Sequence, residues 1–185
     1  MSQSNLLLTD LEAQSRLGIR GSQTSRWLRA RAYQDPEASN QALLQPDGSL
    51  VTRLSSMELL WLDNPARPVT LPQGVLQEDH LCYTVSRRDS HAWFMLQGWG
   101  APSLFAKLCG VDLSIEQFAN LAVAQTSIAR ISGIIIRSDA PDMPIYHLLA
   151  DSSYHAYLWR VLTDAAEAPL SARNMTRVLS SFPNA

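Results

Sequence analysis

The sequence is poor in charge and almost without lysine. Asp, Glu, Lys and Arg make up 17% of its 185 residues, against about 25% in an average soluble protein, while 46% is hydrophobic. The basic side chains are fourteen arginines and a single lysine, Lys107, and the acids outnumber them enough to leave a formal net charge of −2. Such a chain has no electrostatic claim on nucleic acid or on an anionic membrane. Its two cysteines, Cys82 and Cys109, lie in apolar sequence and form no CxxC, which predicts buried reduced thiols. No apolar run approaches the ~20 residues of a transmembrane helix. The opening "MSQSNLLLTDLEAQSR" has neither the basic n-region nor the apolar h-region of a signal peptide. These absences predict a cytoplasmic protein, and the lean charge predicts that a partner covers part of its surface.

Catalytic motifs are also missing. "AWFMLQGWGAPSLFAKLCGVDLS", residues 92–114, reads as strand, glycine turn and helix, the order of many phosphate-binding loops. However, Ser103 stands where GxGxxG needs its third glycine, Trp99 separates the two glycines, and there is no GK[ST]. A phosphate cradle needs bare backbone, so this loop is expected only to turn the chain. His80, His91, His147 and His155 share no metal-ligand spacing, and each reads as a polar surface or capping group. There is no GxSxG, and neither cysteine lies beside a recognisable base. "RRDSH" at 87–91 crowds Arg, Asp, Ser and His together, but consecutive residues rarely face one another as a triad must. No catalytic, cofactor-binding or metal-binding residue is predicted.

What the sequence does contain is a plan stated twice. Arg16–Gly21 reads as a strand ending in glycine, Ser22 as a cap, and Trp27, Leu28 and Ala32 as the apolar face of a short helix. Leu50–Leu54 and Glu58–Leu62 follow as strands. In the second statement Trp93–Leu96 is the strand, Gly98 and Gly100 the turn, and Pro102 sits in the first turn of a helix closed at Gly110. Ile128–Arg137 and Ile145–Ala150 are its strands. A last amphipathic helix over Tyr154–Ala166 sets Tyr154, Tyr157, Leu158, Val161, Leu162 and Ala165 on one side. The prediction is an α+β fold of two repeated β-α-β-β units with antiparallel sheets in one compact domain. Its parts are a first half at 1–63, a Pro-rich linker at 64–79, a second half at 80–166 and a tail at 167–185.

"CGVDLS", "AQTSIARI" and "LLADSSYHAYLW" resemble the γ subunit of heterotetrameric sarcosine oxidase and, equally, the matching small subunit of N-methylglutamate dehydrogenase. The first half, "RLGIRGSQTSRWL…LVTRLSSMELLWL", is more loosely similar to the same family and to the folate-binding lobe of the aminomethyltransferase of glycine cleavage. The likeness covers Arg16–Ala166. It implies an aminomethyltransferase-like fold in a non-catalytic accessory subunit of an αβγδ complex. That complex demethylates sarcosine oxidatively to glycine, passes the one-carbon unit to tetrahydrofolate and forms hydrogen peroxide. It further implies that FAD, FMN, NAD, zinc and tetrahydrofolate are held by other subunits, that this chain holds no cofactor, and that it docks on the folate-binding region of the large α subunit. A free-standing folate-dependent one-carbon transferase, or a tRNA-modifying relative, is the alternative.

Three residues stand out for a partner surface. Trp99 projects from a glycine turn with little neighbouring chain to cover it, and Trp61 ends a strand just before the linker; aromatic side chains are enriched at interfaces. Arg130, flanked by Ala129 and Ile131, is expected to sit in an ion pair or to reach a partner, with a carboxylate substrate as the alternative. On an unbroken strand Arg130 and Arg137 point to opposite faces, and a bulge at Gly133 would bring them together.

Overall fold

A computed structural model describes residues 6–68, 81–166 and 171–174, the last four through their backbone. The chain divides into two compact units, residues 13–89 and residues 1–12 with 90–185. In chain order the elements are β1 (Leu7–Asp10), β2 (Arg16–Gly21), α1 (Thr24–Arg29), β3 (Gln41–Leu44), β4 (Leu50–Ser55), β5 (Glu58–Leu62), β6 (Cys82–Ser86) and β7 (His91–Gln97). There follow α2 (Ala101–Phe105), β8 (Val123–Ile128), β9 (Ile131–Arg137), β10 (Ile145–Asp151), a 3-10 turn (Ser152–Tyr154), α3 (His155–Ala165) and β11 (Ser171–Asn174). No helix among the described residues is long and apolar enough to cross a membrane.

Each unit carries one sheet, ordered β3-β4-β5-β2-β6 in residues 13–89 and β11-β1-β7-β10-β9-β8 in the other. Every pairing is antiparallel except that of β1 with β11. Outward from the strand before the glycine turn, one sheet runs β2-β5-β4-β3 and the other β7-β10-β9-β8, which is the same order. Gly21 and Gly98 close β2 and β7 with φ of +137° and +119°, a backbone that glycine alone adopts freely. Each donates its N–H at 2.9 Å to the residue before the last-formed strand, Gly21 to Met57 O and Gly98 to Pro144 O.

The repeat is β-α-β-β-β, because β3 and β8 precede the two strands the sequence reveals. The first strands are exchanged: β1, which leads into β2 along the chain, pairs with β7, and β6, which leads into β7, pairs with β2. The half-boundaries at 63 and 80 therefore give way to 13 and 89. The linker at 64–79 lies mostly outside the described residues, as does the tail apart from β11.

Ile128–Arg137 is corrected from a single strand to a hairpin. β8 ends at Ile128, Ala129 and Arg130 turn, and β9 begins at Ile131. Gly133 pairs in regular register with Thr126 and Ala150, so no bulge forms there. Two helices also end differently from the sequence reading. Gln23, not Ser22, precedes α1, without a side-chain cap, and α2 stops at Phe105 rather than running to Gly110.

In residues 13–89, α1 lays Trp27 and Leu28 onto Leu17, Ile19, Val51, Leu59, Trp61 and Cys82 while Arg26 and Arg29 stay exposed. Trp61 meets Trp27 edge-on at 6.1 Å and Tyr33 at 4.3 Å. Burying rings of this size is a large part of what stabilises so small a unit. In the other unit Leu8, Phe94, Leu96, Ile135, Tyr146 and Leu148 form the sheet face covered by Leu104 and Phe105 of α2 and Leu158 and Leu162 of α3. Tyr154 and Tyr157, expected on the buried side of the last helix, are half-exposed.

Candidate functional site

A histidine and a serine do meet, on the unit built around β7. His147 on β10 is buried, which corrects its reading as a surface group. Its Nδ1 accepts from the indole N–H of Trp93 at 3.1 Å, and its Nε2 lies 2.9 Å from Ser138 Oγ. Burial pushes its pKa down to about 4, so the ring is neutral near pH 7. An indole nitrogen only donates, which makes Nδ1 the acceptor and leaves the single proton on Nε2, donated to Ser138. Nε2 thus has no lone pair with which to take the serine's proton. The pair looks like a nucleophile with its base, but it has the wrong tautomer for that role and instead ties β10 to β7 and to the residue that follows β9.

Three of the arginines have a similar structural role. Arg53 is buried, pairs with Asp35, and donates to Pro36 O and, at 3.0 Å, to Ser25 Oγ. Arg137 is buried and bonds Asp139 through Nε at 2.9 Å and Nη2 at 2.6 Å. It also donates to Ile115 O and Phe118 O. Arg16 donates to the carbonyls of Gln14, Arg87 and Arg88. A planar fork of five donors suits the capture of several loop carbonyls at once, as a lysine ammonium does not.

Asp10, Glu12 and His155 form a group that sequence spacing does not reveal, with one ligand atom from each lying within 4.8 Å of the others. His155 Nε2 is 2.9 Å from Asp10 Oδ2 and 3.9 Å from Glu12 Oε2, and its ring stacks on Phe94 at 5.1 Å. Asp10 also accepts from the N–H of Glu12 at 2.9 Å. With these contacts the group ties β1 to the start of α3.

The three residues expected at a partner surface do not come together. Trp61 is fully buried among Trp27 and Tyr33, a core residue and not an interface one; it closes a strand, but α1 covers that strand. Trp99 is 60% exposed, the most exposed large hydrophobic side chain among the described residues. It follows Gln97, which pairs with Ile145 at one end of β10. Arg130 is exposed at the other end, next to β9, whose Gly133 pairs with Ala150.

No protein-family profile matches the sequence, and no curated protein matches it. Among solved structures, a chain of heterotetrameric sarcosine oxidase from Corynebacterium sp. U-96 in complex with pyrrole 2-carboxylate superposes with a TM-score of 0.73 at 18% identity. The match covers all of this chain and 90% of that one. Aminomethyltransferase T of the glycine cleavage system from Bartonella henselae superposes with a TM-score of 0.62 at 13% identity, over 92% of this chain and 48% of that one. The chain spans about half the length of that aminomethyltransferase and nearly the whole of the oxidase chain. Its architecture is the aminomethyltransferase-type α+β fold.

Proposed function

We propose that this chain is the γ-type accessory subunit of a heterotetrameric sarcosine-oxidase complex. In that reading the complex oxidises the N-methyl group of sarcosine, transfers the one-carbon unit to tetrahydrofolate and releases glycine and hydrogen peroxide. The chain itself holds no cofactor and performs no step. FAD, FMN, NAD, zinc and tetrahydrofolate belong to the α, β and δ subunits, and the chain docks on the folate-binding region of α through a surface that includes Trp99. The N-methylglutamate dehydrogenase complex is the same proposal with a different substrate on the flavin subunit.

The observation that carries the reading is the structural match itself. One chain of heterotetrameric sarcosine oxidase superposes on all of this chain, over 90% of its own length, with a TM-score of 0.73, against 0.62 for the aminomethyltransferase. The tautomer of His147 points the same way, since it removes the most obvious base.

Co-expression with the large, flavin and small subunits of the same cell's sarcosine-oxidase-type complex tests it. The expected result is a stoichiometric four-subunit complex with sarcosine-dependent peroxide formation. A chain that stays outside the complex, or transfers one-carbon units to tetrahydrofolate alone, overturns it.

A further inference from the structure

The hairpin between β8 and β9 turns through Ala129 and Arg130, whose φ angles are +47° and +70°. A two-residue hairpin turn of this shape favours Asn-Gly, because both residues must be left-handed. Alanine and arginine hold that conformation only when their surroundings impose it. Two hydrogen bonds do so here: Ala129 N–H donates to Leu108 O at 2.8 Å, and the Tyr157 hydroxyl donates to Ala129 O at 2.9 Å.

The strained turn presents an exposed arginine. Arg20, Arg29, Arg53, Arg87, Arg137 and Arg160 each face a carboxylate. Like the exposed side chains of Arg67 and Arg88, that of Arg130 makes no ion pair or hydrogen bond among the described residues, and of the three it alone sits on a strained turn beside half-exposed tyrosines. Beside it Tyr157 and Tyr154 are each 44% exposed, with their rings edge to face at 6.5 Å. Strain, an unpartnered guanidinium and two half-exposed tyrosines therefore coincide at one end of the sheet.

We infer that the surface docking on the large subunit extends beyond Trp99 to this tip, Arg130 with Tyr154 and Tyr157, and that Arg130 pairs there with a carboxylate of that subunit. The inference rests on the subunit reading above. Charge decides the partner's chemistry: a free guanidinium calls for a carboxylate, which it binds through two parallel N–H donors. Tyr and Arg are also the side chains that dominate binding when an interface covers them. A turn tip flanked by tyrosine rings suits a protein surface, whereas a small carboxylate would need a cleft.

The test measures binding of the full chain to the purified large subunit, together with the melting temperature of the lone chain. Arg130→Glu should weaken binding by about tenfold or more and leave the melting temperature unchanged. The double replacement Ala129→Asn with Arg130→Gly should raise the melting temperature, because the turn relaxes, yet weaken binding like Arg130→Glu. Arg130→Lys should bind at intermediate strength. If the wild-type chain binds and both Arg130→Glu and the double variant bind equally well, the docking site lies elsewhere and the subunit reading stands. If the wild-type chain does not bind the large subunit, the subunit reading fails and this inference fails with it.

Discussion

Arg53 and Arg137 occupy the same place in the two sheets. Arg53 pairs with Leu59, and Leu59 with Ile19, two residues before Gly21. Arg137 pairs with Tyr146, and Tyr146 with Leu96, two residues before Gly98. Both are buried, both hold an aspartate, and both bond loop carbonyls. With the common strand order, this places the two halves in register as copies of one design. Arg53→Lys and Arg137→Lys should each lower unfolding free energy by roughly 1–3 kcal/mol, since a lysine leaves buried acceptors unsatisfied. Urea denaturation of the two variants checks this, and comparable losses are expected.

His147 gives the fold a pH dependence of known sign. Its pKa is lowered to about 4 in the folded chain, so between there and the ordinary histidine value the unfolded chain binds more protons. Stability is therefore full above about pH 6.5 and falls as the pH drops towards 4, by on the order of 3 kcal/mol in total. Asp112 and Asp151, held below the usual carboxylate range by hydrogen bonds from Ser114 and Ser153, lose their contribution only at lower pH. Denaturant melts at pH 7 and pH 4.5 should show the loss in the wild type and a flatter profile in His147→Gln.

Trp61 and Trp99, both expected at a partner surface, separate cleanly by substitution. Trp61→Ala should cost the lone chain about 3–5 kcal/mol, as expected for a large ring removed from a packed core. Trp99→Ala should leave its melting temperature nearly unchanged and weaken assembly with the large subunit by about 2 kcal/mol. A lone-chain melt and a binding titration on each variant decide it.

Gly21 tolerates no side chain. A Cβ there would lie 1.9 Å from Leu81 O, which is backbone and cannot swing aside, and φ is +137°. Gly21→Ala should destabilise the chain by more than the ~1 kcal/mol of an ordinary glycine replacement, measurable as a lowered thermal midpoint.

The sequence shows most of what is local. Strands that are nearly continuous apolar runs, such as Glu58–Leu62 and Ile145–Ala150, and the glycine before α1 and before α2 can be read from pattern alone. β3 escapes because "QALL" is four residues long and sits on a sheet edge, where half its side chains face water. The β8–β9 hairpin escapes because Ala-Arg carries no turn chemistry; tertiary bonds from Leu108 and Tyr157 impose the turn. The burial of Trp61 escapes for a related reason, since a strand's end says nothing about the helix that covers it. The group of Asp10, Glu12 and His155 depends on β1 pairing with β7, and no local signal announces an exchanged strand.

That exchange determines where the gene can be shortened. A deletion drawn at the boundary of the sequence repeat, within the linker at 64–79, leaves the first fragment without β6 and the second without β1. Each fragment would expose a row of unpaired backbone groups on β2 or β7, an invitation to aggregate. Residues 13–89 carry one complete sheet without a break in the chain, so the seams of this fold lie at 12/13 and 89/90 and not in the linker.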